Sequence, residues 1–487
     1  MSESFSKSFL HTADGTMWNF MAEALVAPTG LIITAYLTRN LGPEGYGLFS
    51  LAATLIAWVT SSTTSLFSRT AIKLVSEAED WRPVGATVLR LYFVCGLGIM
   101  LLFWFGAEFI AGLLGEPKLK LYLQLFSLEP LFFILARAHS FILIGRGHYR
   151  RQAIPIAIRL VARMALIVFL VEMGFSVTGA VLGSVGAALA ELAICRFYAR
   201  PSLFHSSAFP AKELWSYATP LFLSAISMQL LGKVDLFALS ALGGTLAEAG
   251  IYGAAQSMSI IPTIFSASFA PLLLSSLGRM IKEGQDIDAR TMARNSMRAV
   301  IGILPFAGMA AGSAREVVVF VFGSAFSPTA PLLALLIFAK VSIVMISVAS
   351  IVMIAADKPR WTFSLSGPML FFALGGHALL IPKMGALGAA SVTTAISFIG
   401  GCISIACVYR LWRVLPQAGT VLRSILLTVL AYLAAIIFPT PEFWVILKLL
   451  VIAIAIPVCF GLLGEFSHKE IELAGAVLRR GSFLKKS

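Results

Sequence analysis

MWNFMAEALVAPTGLIITAYLT, residues 17–38, runs 22 residues with one charge, Glu23. About 20 mostly apolar residues cross a bilayer core as a helix, and the apolar part of a cleavable signal is only about 7–15 residues long. The run therefore reads as a first membrane-spanning helix. The residues before it are polar, with Lys7 as the single base. Working outward, similar runs recur along the whole chain. Those of the first half lie at about 17–38, 46–68, 87–114, 121–144, 153–172 and 175–198. Those of the second lie at about 215–242, 249–274, 298–322, 331–355, 361–381 and 385–408, and two more follow at about 421–438 and 443–463. The expected fold class is an all-α polytopic membrane protein of about fourteen spans. Composition agrees: 487 residues are 58% hydrophobic and 13% charged, against roughly 25% charged in soluble domains. So few charges cannot cover a water-soluble surface.

The formal net charge is +13, from 37 Lys+Arg and 24 Asp+Glu. In a soluble protein that excess would suggest nucleic acid. Here alternation explains it. With the N-terminus placed inside, 26 basic residues fall on the inner side, 5 on the outer side and 6 within spans. Basic residues hold cytoplasmic ends in place, so both termini are expected in the cytoplasm and nucleic acid is not an expected partner. The basic tail (Arg479, Arg480, Lys485 and Lys486) is expected to lie on anionic lipid. Cys95, Cys195, Cys402, Cys407 and Cys459 lie in apolar runs without metal-ligand spacing. They read as packing residues, and neither a metal nor a cofactor is expected. No GxxxxGK[ST] occurs and the largest polar stretches are about 199–214 and 275–297. That leaves no place for an ATPase domain.

The chain repeats itself. Gly145-Arg146-Gly147-His148-Tyr149-Arg150 precedes a span ending Glu172-Met173-Gly174, followed by Thr178-Gly179-Ala180. Ala356-Asp357-Lys358-Pro359-Arg360 precedes one ending Pro382-Lys383-Met384-Gly385, followed by Leu387-Gly388-Ala389. Gly174 and Gly385 are 211 apart, as are Arg146 and Asp357; Tyr46-Gly47 and Tyr252-Gly253 are 206 apart, and Arg69 and Arg279 are 210 apart. Six spans per half in one orientation read as a parallel duplication, an arrangement associated with transporters whose site lies between two bundles. The expected division is an N-terminal lobe (1–200), a C-terminal lobe (201–410) and two added helices with the tail (411–487).

Tyr36-Leu37-Thr38-Arg39-Asn40-Leu41-Gly42-Pro43-Glu44-Gly45-Tyr46-Gly47 and Ile381-Pro382-Lys383-Met384-Gly385-Ala386-Leu387-Gly388-Ala389-Ala390 resemble the LTRxLGPxxYG and IPxxGxxGAA segments of the polysaccharide flippase family. That family lies within the multidrug/oligosaccharidyl-lipid/polysaccharide exporter superfamily. The resemblance covers about residues 12–410. It implies fourteen spans in two six-helix lobes and movement of a lipid-linked oligosaccharide, usually on undecaprenyl diphosphate, from the cytoplasmic to the outer leaflet of a bacterial inner membrane. A polysaccharide polymerase or export machinery would be the protein partner. Physically, the first segment reads as a tight outer turn, since Pro43 cannot continue a helix and Gly42, Gly45 and Gly47 allow positive φ.

Ionisable groups within spans are functional candidates by default. Arg137, Arg159 and Arg163 are placed to line one cationic vestibule of the first lobe, and arginine binds phosphate bidentately. The alternatives are snorkelling for Arg159 and pairing with a carboxylate such as Glu191 for the other two. Lys340 is expected in the same substrate cavity, and Arg69 and Arg279, at symmetric inner helix ends, either meet incoming phosphate or anchor the topology. Glu129 and Lys340 are 211 apart with opposite charges; as a gating ion pair they would tolerate a charge swap better than either single change. Glu23 is a candidate coupling carboxylate. Lys233 and Asp235, two apart and pointing to different sides, are both read as coupling or gating residues, with Asp235 alternatively merely wet. His139 reads as packing, Gly179, Gly183 and Ala187 as a close-packing stripe, and the last two spans as lipid-facing or a partner contact.

Three functions fit a polytopic chain. A lipid-linked glycan flippase needs a cationic cavity. A multidrug exporter of the same superfamily takes mainly cations and needs acidic groups. A membrane-embedded glycan enzyme needs a sizeable catalytic loop, which this chain lacks. The basic excess within spans favours the first.

Overall fold

Backbone groups in a membrane must bond within their own segment, which leaves helices for a chain of this composition. The structure is a computed structural model and describes residues 25–200, 232–440 and 443–466. Among these residues there is no strand. The first half holds α1 (Val26–Glu77), α2 (Trp81–Leu113), α3 (Leu119–Phe126), α4 (Leu128–Gly145), α5 (Tyr149–Leu170) and α6 (Ser176–Tyr198). Next come α7 (Val234–Ala241), α8 (Leu246–Ser259), α9 (Ile261–Lys282), α10 (Asp286–Ile301), α11 (Leu304–Gly312) and α12 (Ala314–Phe322). The chain ends with α13 (Thr329–Ala355), α14 (Pro359–Trp412), α15 (Ala418–Ile437) and α16 (Trp444–Leu462).

Among the described residues, eight helical stretches are long and apolar enough to cross a membrane. Three of them, 26–65, 149–198 and 367–412, have 40, 50 and 46 residues, too long for one crossing at about 1.5 Å per residue. Each divides where two spans were expected. Gly42 breaks α1 with φ 66° and ψ −179°, Gly174 breaks the wide turn 171–175 before α6 with φ 90°, and Gly385 breaks α14 with φ 54°. Gly174 and Gly385, 211 residues apart, both take a positive φ, but with ψ 4° and −134° they turn the chain differently. The pair 286–312 and 314–322, bent by 67°, makes a ninth when counted as one broken span. Of the seventh expected span only α7 lies within the described residues.

One expectation about the outer turn is corrected. Only Gly42 takes a positive φ; Gly45 and Gly47 are helical. Gly47 is needed for closeness instead: a Cβ there would lie 2.0 Å from the Leu246 carbonyl oxygen of α8. In return a Cβ on Gly250 would lie 2.1 Å from the Pro43 oxygen, and one on Gly253 2.3 Å from Ser50 Oγ. The two Tyr-Gly segments of the repeat therefore sit backbone to backbone. Arg39 donates from Nε to the Val321 oxygen at 3.0 Å, at the end of α12.

The chain forms two compact units. The first comprises 1–261, 321–332 and 363–396, and the second 262–320, 333–362 and 397–487. In the first, α5 packs along α6, α1 along α8, and α4 against α2 and α6. In the second, an apolar core including Leu277, Met297, Val344, Val348 and Val408 joins α9, α10, α13 and the end of α14. There α15 lies on α11, where Cβ atoms at Gly308 and Gly312 would come within 2.5 and 2.6 Å of the Thr428 and Tyr432 oxygens.

The last two helices are not merely lipid-facing. Lys448 is buried and pairs with Glu316 of α12 while donating to the Ala435 and Phe438 oxygens at 3.0 and 3.2 Å. Apolar surroundings force a buried ammonium to find such partners. At the other end of α15 and α16, Glu465 accepts from Arg298 Nε at 2.7 Å, Arg423 at 2.8 Å and Thr420 at 2.6 Å.

Candidate functional site

Helical spacing builds this site. Glu129, Phe133 and Arg137 recur every fourth residue on α4, Arg159 and Arg163 do so on α5, and Ser184 and Glu191 are seven apart on α6. Each set therefore shares one helix face. The faces meet because α5 and α6 pack tightly. A Cβ on Gly183 would lie 2.8 Å from Ile167, and one on Gly179 2.9 Å from the Leu170 carbonyl carbon.

Glu191 is fully buried between two guanidiniums. Arg137 Nη2 lies 3.2 Å from its Oε1 and Arg159 Nε 2.9 Å from its Oε2. The same guanidinium carbons stand 4.8 and 5.0 Å from the Phe133 ring centroid, within cation–π range. Arg159 therefore does not snorkel; it is tied inward. Arg163 donates from Nε to Ser184 Oγ at 3.3 Å, and Ser184 passes its proton to the Ala180 oxygen at 3.0 Å.

In front of these arginines lies a cavity of about 480 Å³ within the first unit. Its charged lining is Glu129, Arg159, Arg163 and Lys233, three positive groups against one negative. Arg137 and Glu191, behind the wall, cancel. The opposite wall carries hydroxyls from α1, including Thr34, Ser50, Thr54 and Ser61, and Ser257 from α8. Phe49 and Phe126 line one end, with ring centroids 5.9 Å apart. Tyr46, also in the lining, reaches Thr34 Oγ1 and Ser257 Oγ at 3.5 and 3.4 Å. Such a cavity presents fixed positive charge to an anion and hydroxyls to a polar, uncharged group.

Of the residues singled out from sequence, Arg159, Arg163, Lys233 and Glu129 come together here, and Arg137 stands one layer behind. Asp235 turns away and is not wet. It is 3% exposed and accepts from Tyr252 Oη at 2.7 Å, Gln256 Nε2 at 2.9 Å, Thr393 Oγ1 at 3.3 Å and its neighbour Leu236 N at 2.9 Å. Lys340 and Arg279 belong to the second unit, and Arg279 is exposed in the last turn of α9. Glu23 and the Arg69 side chain lie outside the described residues. His139 is buried against the Leu135 oxygen at 2.8 Å. Sequence reading missed Phe133, Ser184 and the hydroxyl wall. The fourfold spacing Glu129–Phe133–Arg137 was the available signal for the first; serines and threonines on apolar helices carry none.

Comparison with known proteins relates the whole chain to others. The succinoglycan biosynthesis transport protein ExoT of Rhizobium meliloti (strain 1021) is 23% identical over 335 residues, which cover 66% of this chain and 65% of that protein. The match thus spans just under two thirds of the relative's length. Among solved structures, the lipid II flippase MurJ in an inward closed conformation aligns with a TM-score of 0.71 at 16% identity, covering 91% of this chain and 97% of that one. An inward-facing MATE family multidrug resistance transporter of the MOP superfamily aligns with a TM-score of 0.61 at 14% identity, covering 80% and 96%. At such identities the likeness is one of fold. The family model described as "polysaccharide biosynthesis protein" matches residues 12–273, more than half of the sequence, and the chain belongs to that family.

Proposed function

We propose that this protein carries a lipid-linked oligosaccharide across the bacterial inner membrane, holding the diphosphate of the lipid head in the cavity of the first unit. The observation that carries the reading is the charge of that cavity: Arg159, Arg163 and Lys233 against Glu129 leave two positive charges in a low-dielectric wall. A diphosphate diester carries two negative charges, and guanidinium forks match its oxygens. The volume falls in the range of pockets for drug-sized ligands. It suits the diphosphate and first sugars, while a long polyprenyl chain stays in the bilayer. The hydroxyl wall suits a sugar. The names of ExoT and MurJ point the same way, to polysaccharide transport and to flipping of a lipid-linked substrate.

The second reading, a multidrug exporter, is favoured by the MATE fold neighbour. Net positive charge in the cavity opposes it, because cationic drugs would be repelled. Lobe-against-lobe alternating access, with both termini in the cytoplasm and a polymerase or export complex downstream, completes the proposal. Deletion in the native host tests it. Loss of surface polysaccharide with intermediates held on the cytoplasmic leaflet is expected. Normal polysaccharide with new sensitivity to cationic drugs would replace it with the second reading.

A further inference from the structure

We infer that Glu191 is a positioning residue for the anion site, holding Arg137 and Arg159 side by side behind the cavity wall; this rests on the diphosphate reading above. Two guanidiniums against one phenyl ring repel each other, and in a low-dielectric interior the repulsion is weakly screened. Glu191 offsets it. Its carboxylate is 0% exposed, stands 3.2 and 2.9 Å from the two arginines as an ion pair, and among the described residues neither oxygen takes a hydrogen bond. Nε of Arg159 faces Glu191, and the same side chain lines the cavity, so the carboxylate can fix where that guanidinium stands.

Glu191 itself is absent from the cavity lining, so it acts only through the arginines. An outer layer that fixes ligand-binding groups is worth about 10–100-fold in affinity where this has been measured at metal sites. The same helix face carries Ser184, which receives Arg163 at 3.3 Å, so α6 orients both arginines of α5. Had Glu191 merely filled space, glutamine, its isostere, would replace it without consequence. If its charge sets the arginines, aspartate replaces it better, since arginine side chains are long enough to follow a carboxylate withdrawn by one methylene.

The test is calorimetric titration of inorganic pyrophosphate into the purified full-length protein, with thermal melting recorded alongside. Wild type binds; Glu191→Gln binds about tenfold or more weakly, and Glu191→Asp stays within about threefold of wild type. A Glu191→Gln protein that binds like wild type, or better than Glu191→Asp, overturns the inference while leaving the cationic cavity standing. Should Glu191→Gln fail to fold, Glu191→Ala takes its place: binding about tenfold or more weaker than in Glu191→Asp supports the role, and equal binding by the two in folded protein overturns it. No binding by wild type would remove the diphosphate reading and this role with it.

Discussion

Arg163 is the arginine of the cavity wall that, among the described residues, has no carboxylate within ion-pair distance and is held instead by the neutral Ser184 hydroxyl. Its charge is therefore the most available to a ligand. Arg163→Ala is expected to lower transport about tenfold or more, and Arg163→Lys to recover part of it, because lysine keeps the charge and loses the fork. Initial rates of polysaccharide appearance in complemented cells, normalised to protein level, check both. Asp235 obeys a different rule. Its oxygens take four donors, so an amide there turns one acceptor into a donor facing a hydroxyl. Asp235→Asn is expected to cost about 1–3 kcal/mol of stability, read as a lower melting temperature of the purified protein. From sequence, depth along a span identified which residues were intramembrane but not which way they faced. Lys233 and Asp235 are two apart, and one lines the cavity while the other is sealed among Tyr252, Gln256 and Thr393.

Helix positions were legible because an apolar run of bilayer length has few alternatives, and the breaks because glycine marks them. What glycine marks was not legible: a turn and a close approach use the same residue. Gly42 and Gly174 serve backbone angles, with nothing within 4 Å of either, whereas Gly47, Gly250 and Gly253 serve contact between α1 and α8. That contact yields a sharp contrast. Gly47→Ala or Gly250→Val forces a methyl or larger group to within about 2 Å of a carbonyl oxygen, and overpacking of this kind costs about 1–3 kcal/mol or parts the helices. Gly98→Ala on α2, with nothing within 4 Å, is expected to leave melting and transport unchanged. A Gly47→Ala protein as stable and active as wild type would show that the two Tyr-Gly segments do not need to touch.

At the scale of the molecule, composition alone gave a helical membrane-spanning protein. The place of the last two helices was illegible, since Lys448 and Glu316 are 132 residues apart and only folding joins them. Lys448→Met strands the Glu316 carboxylate and is expected to cost about 3–5 kcal/mol, with Glu316→Leu added to it recovering much of the loss; a double-mutant cycle on melting decides. At the other end of α15 and α16, burial raises the pKa of Glu465, but hydrogen bonds from Thr420, Arg423 and Arg298 outweigh it and hold the carboxyl below its usual range. Its contribution is therefore present above the ordinary carboxylate pKa and is lost as pH falls through the lowered one. Glu465→Gln should remove that acid-side dependence. The most direct test of the whole is leaflet-resolved flipping of an undecaprenyl diphosphate oligosaccharide in proteoliposomes carrying wild type or Arg159→Ala/Arg163→Ala. Wild type should move the lipid to the far leaflet and the double variant, folded and inserted, should fall to the level of empty vesicles. Equal flipping by both would contradict a cationic cavity as the carrier of the diphosphate.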